Sequence, residues 1–252
     1  MTQQTTFGFG HFLTQADAVG LTVLAILFVM SVSSWYLILV KSLRNVQTRQ
    51  KSRDFLARFW SAASLDQVAA DLGKNPAQEP FGRLAAQGIA AQSHWDKSSA
   101  ASIAKGAGHD EFITRAIRRA MTQETAHSEW GLTVLASVGS AAPFVGLFGT
   151  VWGIYHALLA IGFSGKASLD AVAGPVGEAL IMTALGLAVA IPAVLAYNAF
   201  VRANRLLLTE LDGFAHDVQA FLVTGSRVAG SARGRTGAGA GAGARSAAAG
   251  AV

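Results

Sequence analysis

Hydrophobic residues gather into three long blocks along this chain of 252 residues. The first block runs from Ala18 to Val40, the second from Trp130 to Gly165 and the third from Ala171 to Val201. Each block exceeds the roughly 20 apolar residues that a helix needs to cross the core of a bilayer. The pattern therefore predicts an all-α integral membrane protein with three transmembrane helices, at 18–40, 130–163 and 171–201.

The first block differs from a secretory signal peptide. No Lys or Arg precedes it, its apolar run is too long, and no small-residue cleavage site follows it. We therefore interpret it as a retained first span.

Basic residues predict the orientation of the three spans. Of the 20 Lys and Arg residues, 13 lie from Lys41 to Trp130, 6 lie at or after Arg202, one is Lys166, and none precedes the first span. Segments on the cytoplasmic side of a membrane are enriched in basic residues near the span ends. The rule places two segments outside, the N-terminus 1–17 and the hairpin 164–170, and two in the cytoplasm, the domain 41–129 and everything after residue 201.

The cytoplasmic domain 41–129 has helical spacing and no alternating strand pattern. Ser64 can cap a short helix with Leu65, Val68, Ala69 and Leu72 on its apolar face, and Gly73 can end it. A second helix is predicted over Phe81–Ala91, followed by a linker at 97–108 that is rich in Ser, Ala and Gly.

Two amphipathic stretches adjoin the second and third spans. From Asp110 no Pro or Gly interrupts the helical pattern before Gly131, which predicts one long helix that runs into span two. Apolar residues at three- and four-residue steps follow Arg202 and predict a cytoplasmic helix at 202–224. We expect these two extensions to pack together, and we expect the Gly, Ala and Arg-rich tail 225–252 to be disordered.

Composition narrows the possible chemistry. Hydrophobic residues make up 52% of the chain, charged residues 14%, and Cys is absent, which excludes disulfides and thiol catalysis. The net charge of +5 fits a cytoplasmic face against anionic membrane lipid, and no nucleic-acid motif competes with that reading. No P-loop, nucleophile elbow or His pair with metal spacing is present, so we predict neither an enzyme nor a metal or cofactor site.

Glu178 is the one charged residue inside these apolar blocks. An acid near the centre of a membrane helix costs ~3 kcal/mol on insertion scales, and such residues usually take part in moving ions. The alternative is that Gly174 and Pro175 begin the third helix, so that Glu178 merely stabilises its first turn. A start near Ser168 and Asp170 would instead leave Glu178 well inside the helix.

Thr150 and Thr183 lie sixteen and seventeen residues from Lys166, so antiparallel spans bring their hydroxyls to similar depth, near Glu178. Thr183 is five residues from Glu178, about 140° around the helix, so a shared path needs several subunits or a helix distorted by proline. The simpler alternative is that each threonine bonds a carbonyl of its own helix.

Other residues of span two also have both a functional and a purely structural interpretation. His156 could relay protons, although a lone His is more often packed or hydrogen-bonded locally. Gly149 and Gly153 form a GxxxG pair with Gly146 one turn earlier, a spacing that allows close helix packing.

Two stretches, residues 139–154 and 177–198, resemble the signature of the MotA/TolQ/ExbB proton channel family. They read GSAAPFVGLFGTVWGI and GEALIMTALGLAVAIPAVLAYN and cover spans two and three. Within the family, the three-span layout and the segment at 210–217 favour the branch that works with ExbD and TonB, with the Tol-Pal branch similar.

The resemblance implies a subunit of the bacterial inner membrane that forms a pentamer around a pore holding the transmembrane helices of an ExbD dimer. Proton flow would drive movement, and TonB would pass the work on to the import of siderophores, haem and vitamin B12. The resemblance also implies that Glu178, Thr150 and Thr183 line the proton path. A subunit that maintains the cell envelope and a scaffold that conducts nothing remain the alternatives.

Overall fold

A computed structural model describes residues 17–62, 64–74, 76–99, 108–164 and 169–224, and all the regular structure in these ranges is helical. The helices are α1 (Ala18–Ser61), α2 (Leu65–Lys74), α3 (Pro80–Ser99), α4 (His109–Glu129), α5 (Leu132–Ser164) and α6 (Leu169–Thr224). Within the described ranges, three helical stretches are long and apolar enough to cross a membrane: Ala18–Ser61, His109–Phe163 and Gly174–Thr224.

The chain divides into two compact units. Unit I comprises the chain up to Gln47 together with Ser128–Arg205, and unit II comprises Thr48–His127 together with the chain from Leu206 onward. The three apolar blocks of the sequence lie mainly in unit I.

The prediction of one uninterrupted helix from Asp110 into the second span is wrong. Helix α4 ends at Glu129 and α5 begins at Leu132, with a turn at Trp130 and Gly131. Gly131 has a φ of 76°, a left-handed backbone that residues with a Cβ rarely adopt and that commonly ends helices.

Two side chains from other helices satisfy carbonyl groups at this turn. The Nζ of Lys41 donates to the carbonyl oxygens of Ser128 and Trp130, at 2.8 Å each. The amide nitrogen of Asn204 donates to the Ser128 oxygen at 2.6 Å. The carbonyls that a helix end leaves unpaired therefore find donors on α1 and α6, which stabilises the interruption.

Several sequence-based boundaries change in the structure. The predicted helix after Ser64 is confirmed, and the Ser64 hydroxyl accepts from the Gln67 amide at 3.3 Å. Helix α3 extends to Ser99, so the proposed linker 97–108 begins inside a helix, and residues 100–107 lie outside the described ranges. The hairpin is shorter than 164–170, because Ser164 and Leu169 are already helical. The tail 225–252 and residues 1–16 also lie outside the described ranges.

Unit II has an apolar core to which α4 and α6 both contribute, which confirms that the two amphipathic extensions pack together. Phe214 of α6 lies near its centre, with its ring 5.0 Å from that of Phe59 and 5.5 Å from that of Phe81, between ring centroids. The apolar stripes meet in this cluster, which includes Ile113, Ile117, Ala120, Leu211, Phe214, Ala215 and Val218.

Polar side chains hold the start of α3 in unit II. The buried carboxylate of Glu79 accepts from the amides of Phe81 at 2.8 Å and Gly82 at 2.5 Å, so it caps the helix. Burial raises the pKa of Glu79 in spite of these bonds. Arg83 forms a bidentate salt bridge with the buried carboxylate of Glu124. Its Nε donates to Oε1 at 2.6 Å, and a terminal guanidinium nitrogen donates to Oε2.

The core of unit I combines side chains of α1, α5 and α6, among them Val23, Leu27, Leu135, Ala142, Met182 and Ala193. Within this core the backbones of α5 and α6 approach each other closely. A methyl group at Gly146 would lie 2.6 Å from the Met182 carbonyl oxygen and 3.0 Å from the Gly186 Cα. One at Gly186 would lie 2.7 Å from the Ala142 carbonyl oxygen. Only glycine permits this approach of the two helices.

The other two glycines of the spacing pattern also face neighbouring helices. A methyl group at Gly149 would lie 3.1 Å from a side-chain carbon of Val23 on α1 and 3.2 Å from the Met182 Cβ on α6. At Gly153 it would lie 3.0 Å from the Cβ of Ala179. This row of α5 therefore packs against both other helices of unit I.

Gly146→Ala is expected to destabilise the protein by about 1–3 kcal/mol, because the new methyl group would overlap a backbone carbonyl that cannot move independently of α6. Thermal unfolding in detergent, followed by tryptophan fluorescence, measures the change.

Gly162→Ala is the matched control on the same helix, since nothing lies within 4 Å of a methyl group at Gly162. It should leave the unfolding temperature unchanged or raise it slightly, because Ala is the better helix former. Equal unfolding temperatures for the two variants would contradict the close contact.

Candidate functional site

Thr150 of α5 and Thr183 of α6 meet in the structure, and their hydroxyl groups are hydrogen-bonded to each other. Thr150 is only 6% exposed, and Thr183 is partly buried. The similar depth predicted from their spacing to Lys166 is thus confirmed. Gly146 and Gly186 make the contact possible, because they lie within one turn of the two threonines and bring the helix backbones together.

The Thr150 hydroxyl has further partners. It lies 3.2 Å from the carbonyl oxygen of Gly146 in its own helix and 3.1 Å from that of Ala179 in α6. A hydroxyl has one hydrogen to donate and two lone pairs that accept. Thr150 can therefore donate to either carbonyl while it accepts from Thr183, or donate to Thr183 instead. The bond within its own helix, expected from the simpler alternative, coexists with the contact to α6.

Glu178 lies inside α6, nine residues after the first helical residue, Leu169. The alternative in which Gly174 and Pro175 begin the helix is therefore wrong, and Pro175 itself is a helix residue. The Glu178 side chain is outside the described part of the structure. Its neighbour Ala179 is 4% exposed and packs against Thr150 and Gly153. Thr183 lies five residues further along α6, so the backbone at Glu178 is about 7–8 Å nearer the start of the helix than Thr183.

His156 of α5 has a partner that its sequence neighbourhood does not reveal. Its Nε2 lies 3.7 Å from Oδ2 of Asp17, the residue that precedes α1. The same carboxylate oxygen accepts from the Trp152 indole N–H at 2.6 Å. The other oxygen, Oδ1, accepts from the Gly20 amide at 2.7 Å and caps α1.

The surroundings of Asp17 favour its charged form. Partial burial raises the pKa of Asp17. The hydrogen bonds from Trp152 and Gly20 and the nearby His156 together lower it by more, so the pKa lies below its ordinary value. The carboxylate therefore stays ionised over the pH range in which histidine titrates.

Sequence reasoning did not single out Gly186, Asp17 or Trp152. Gly186 is three residues after Thr183 and could have been found as the small residue one turn away from a proposed contact. Asp17 and Trp152 are 135 residues apart, and no local pattern links them.

Comparison with known proteins agrees with the helix pattern. Residues 77–212 match the MotA/TolQ/ExbB proton channel family. The chain is 43% identical over 229 residues to a biopolymer transport protein ExbB of Xanthomonas campestris pv. campestris, covering 88% of this chain and 90% of that protein. It is 38% identical to an ExbB of Neisseria meningitidis, covering 82% and 93% of the two chains.

A Tol-Pal system protein TolQ of Pseudomonas aeruginosa is 34% identical over 216 residues, which cover 83% of this chain and 90% of that protein. The family match covers more than half of the chain, and these relatives align with most of its length. The chain therefore belongs to the MotA/TolQ/ExbB proton channel family.

Proposed function

We propose that this chain is the proton-channel subunit of a motor in the bacterial inner membrane, with Glu178, Thr150 and Thr183 on the proton path. The observation that carries the proposal is the hydroxyl pair of Thr150 and Thr183, hydrogen-bonded between two apolar helices about 7–8 Å along α6 from Glu178. Hydroxyls can accept one proton while donating another, which suits them to pass protons to and from a carboxylate.

Glu178 supplies the titratable group of the proposed path. A carboxylate in a partly dehydrated site can exist neutral or charged, depending on the charge that faces it. A proton that crosses the membrane releases about 2.3 kcal/mol per 100 mV of membrane potential. The motor would couple this release to movement of a partner helix that alternately exposes Glu178 to either side. Rotation of the inner helices is one form of this movement.

The proposed path requires several copies of the chain. Large apolar side chains of α1 and α5 are exposed in the single chain, among them Phe28, Phe144, Phe148, Leu158 and Phe163. Lipid or neighbouring copies must cover these surfaces in a membrane. We propose a pentamer whose central pore holds the transmembrane helices of ExbD, with Gly146, Gly149 and Gly153 packing the helices within each copy.

Similarity to ExbB proteins supports a role in energising import through TonB, since the ExbB proteins of Xanthomonas campestris and Neisseria meningitidis, at 43% and 38% identity, are more similar to this chain than the TolQ of Pseudomonas aeruginosa, at 34%. The proposed cargo is siderophores, haem and vitamin B12. The charge pattern supports a periplasmic N-terminus and a cytoplasmic C-terminus. A TolQ-type role in envelope integrity is the second candidate, because that similarity also spans most of the chain.

Glu178→Gln is expected to abolish proton flux and energised growth on siderophore-bound iron while leaving assembly intact, because glutamine keeps the side-chain size and cannot carry a proton. Proton uptake into vesicles and iron-dependent growth are the measurements.

Glu210→Gln is the matched control, an exposed carboxylate on the same helix that should retain wild-type flux. Wild-type growth and flux for Glu178→Gln would reject the proton path and favour the scaffold that conducts nothing.

Thr183→Val should lower proton flux at least tenfold while costing only ~0.6 to 1.7 kcal/mol of stability, the range for hydrogen bonds between membrane helices. Valine has nearly the shape of threonine and removes the hydroxyl that meets Thr150. Thr183→Ser keeps the hydroxyl and should retain flux. If both variants conduct equally, the hydroxyl takes no part in the path.

Copurification from the native membrane distinguishes the two branches. An affinity tag on this chain should retrieve ExbD, and the intact complex should have the mass of a pentamer with its bound partner. Recovery of TolR in place of ExbD would assign the chain to the envelope-integrity system.

A further inference from the structure

Asp17, Trp152 and His156 form a polar cluster in unit I that the proposed path does not use. Asp17 is fixed by two contacts, since Oδ1 accepts from the Gly20 amide and Oδ2 from the Trp152 indole. The carboxylate is thereby held 3.7 Å from His156 Nε2. This distance is too long for a hydrogen bond but within the range over which a protonated imidazole and a carboxylate attract each other.

The cluster lies at the edge of the apolar region. Asp17 immediately precedes the uncharged stretch from Ala18 to Val40 and so marks the level at which α1 leaves the apolar core. Contact with Asp17 places His156 at that level, although α5 continues for eight further residues to Ser164. The side chains of His156 and Asp17 are 47% and 41% exposed in the single chain, so neither is enclosed by the helices of its own copy.

The cluster is also close in depth to the proposed path. Thr150 precedes His156 by six residues in α5, which is about 9 Å along the helix axis. Ala179 packs on Thr150 and Gly153, so its neighbour Glu178, one residue nearer the start of α6, lies about 3–8 Å deeper than His156. A proton bound at His156 would have to move only this far along the helix axis to reach the level of Glu178.

Among the described side chains, few other titratable groups lie near His156. On α5, Tyr155 is the other titratable residue between Trp130 and Ser164, and its ring lies edge-on to His156 with 5.4 Å between the centroids. On α1, Asp17 faces it. On α6, Asp170 and Glu178 are the charged residues before Arg202, and the side chains of both lie outside the described part of the structure. Asp17 is therefore the described charged group in contact with the imidazole.

We propose that Asp17 and His156 collect protons on the outer side and supply them to the path at Glu178. His156 Nε2 takes a proton from water and becomes an imidazolium that Asp17 stabilises. It then releases the same proton inward and returns to its neutral form. Trp152 is a positioning residue that holds Asp17 in place. This inference rests on the proposed function and on the orientation that puts the start of α1 outside.

The pH dependence of proton flux tests the proposal, because a collecting group matters most when protons are scarce. The complex is isolated through a tag on this chain and placed in vesicles, and the initial rate is measured at an outer pH of about 5.5 and about 7.5, on either side of the ordinary histidine pKa. His156→Gln should lower the rate about tenfold or more at the higher pH and change it less than about twofold at the lower pH.

Asp17→Asn should give the same pH-dependent loss, and it guards against a simple folding defect because Asn also caps helices well. Tyr155→Phe is the matched control, since it removes only the hydroxyl of a neighbouring ring and keeps the ring contact with His156. It should follow the wild-type profile. A loss of equal size at both pH values would show that the cluster only ties α1 to α5, and would overturn the proposal.

Glu178→Gln, measured in parallel, separates this inference from the proposed function. If Glu178→Gln blocks flux and His156→Gln matches the wild type at both pH values, only the collecting role fails. If Glu178→Gln conducts normally, the proton path itself fails.

Discussion

The close approach of α5 and α6 at Gly146 and Gly186 is the contact on which the candidate site depends. With a methyl group at either position, the backbones would have to separate, because each glycine lies against a carbonyl oxygen of the other helix. The hydroxyls of Thr150 and Thr183 reach each other only because the helices are this close. In a membrane, where apolar side chains gain nothing by leaving lipid, such close packing is itself a main source of helix association.

The polar groups of unit I follow a consistent arrangement. In the apolar core the hydroxyls of Thr150 and Thr183 bond each other, and Thr150 also bonds backbone carbonyls. Ionisable side chains such as Asp17 and Lys41 lie where the apolar stretch ends and make several hydrogen bonds there. Glu178 departs from this arrangement, since its sequence position is inside an apolar helix. An acid at that depth costs free energy, and the proposed role in proton movement would account for its presence.

Unit II is held together differently. Its core is built from aromatic rings around Phe214 and from the apolar stripes of α4 and α6, as in a water-soluble helical domain. The amphipathic spacing of these segments made their packing predictable, because apolar residues at three- and four-residue steps mark the buried face of a helix. The contact of Arg83 with Glu124 joins residues 41 apart and could not be predicted from spacing.

The sequence by itself determined which segments are apolar helices, where basic residues lie and that Glu178 is out of place, because length, hydropathy and charge are local properties. It could not determine which faces of α5 and α6 meet, since both helices are apolar on all sides over the span. Tertiary structure decided the contact of Thr150 with Thr183, the pairing of His156 with Asp17 and the turn at Gly131, which Lys41 stabilises from 87 residues away. Each of these depends on the rotation and spacing of helices that are distant in sequence, and packing alone sets those quantities.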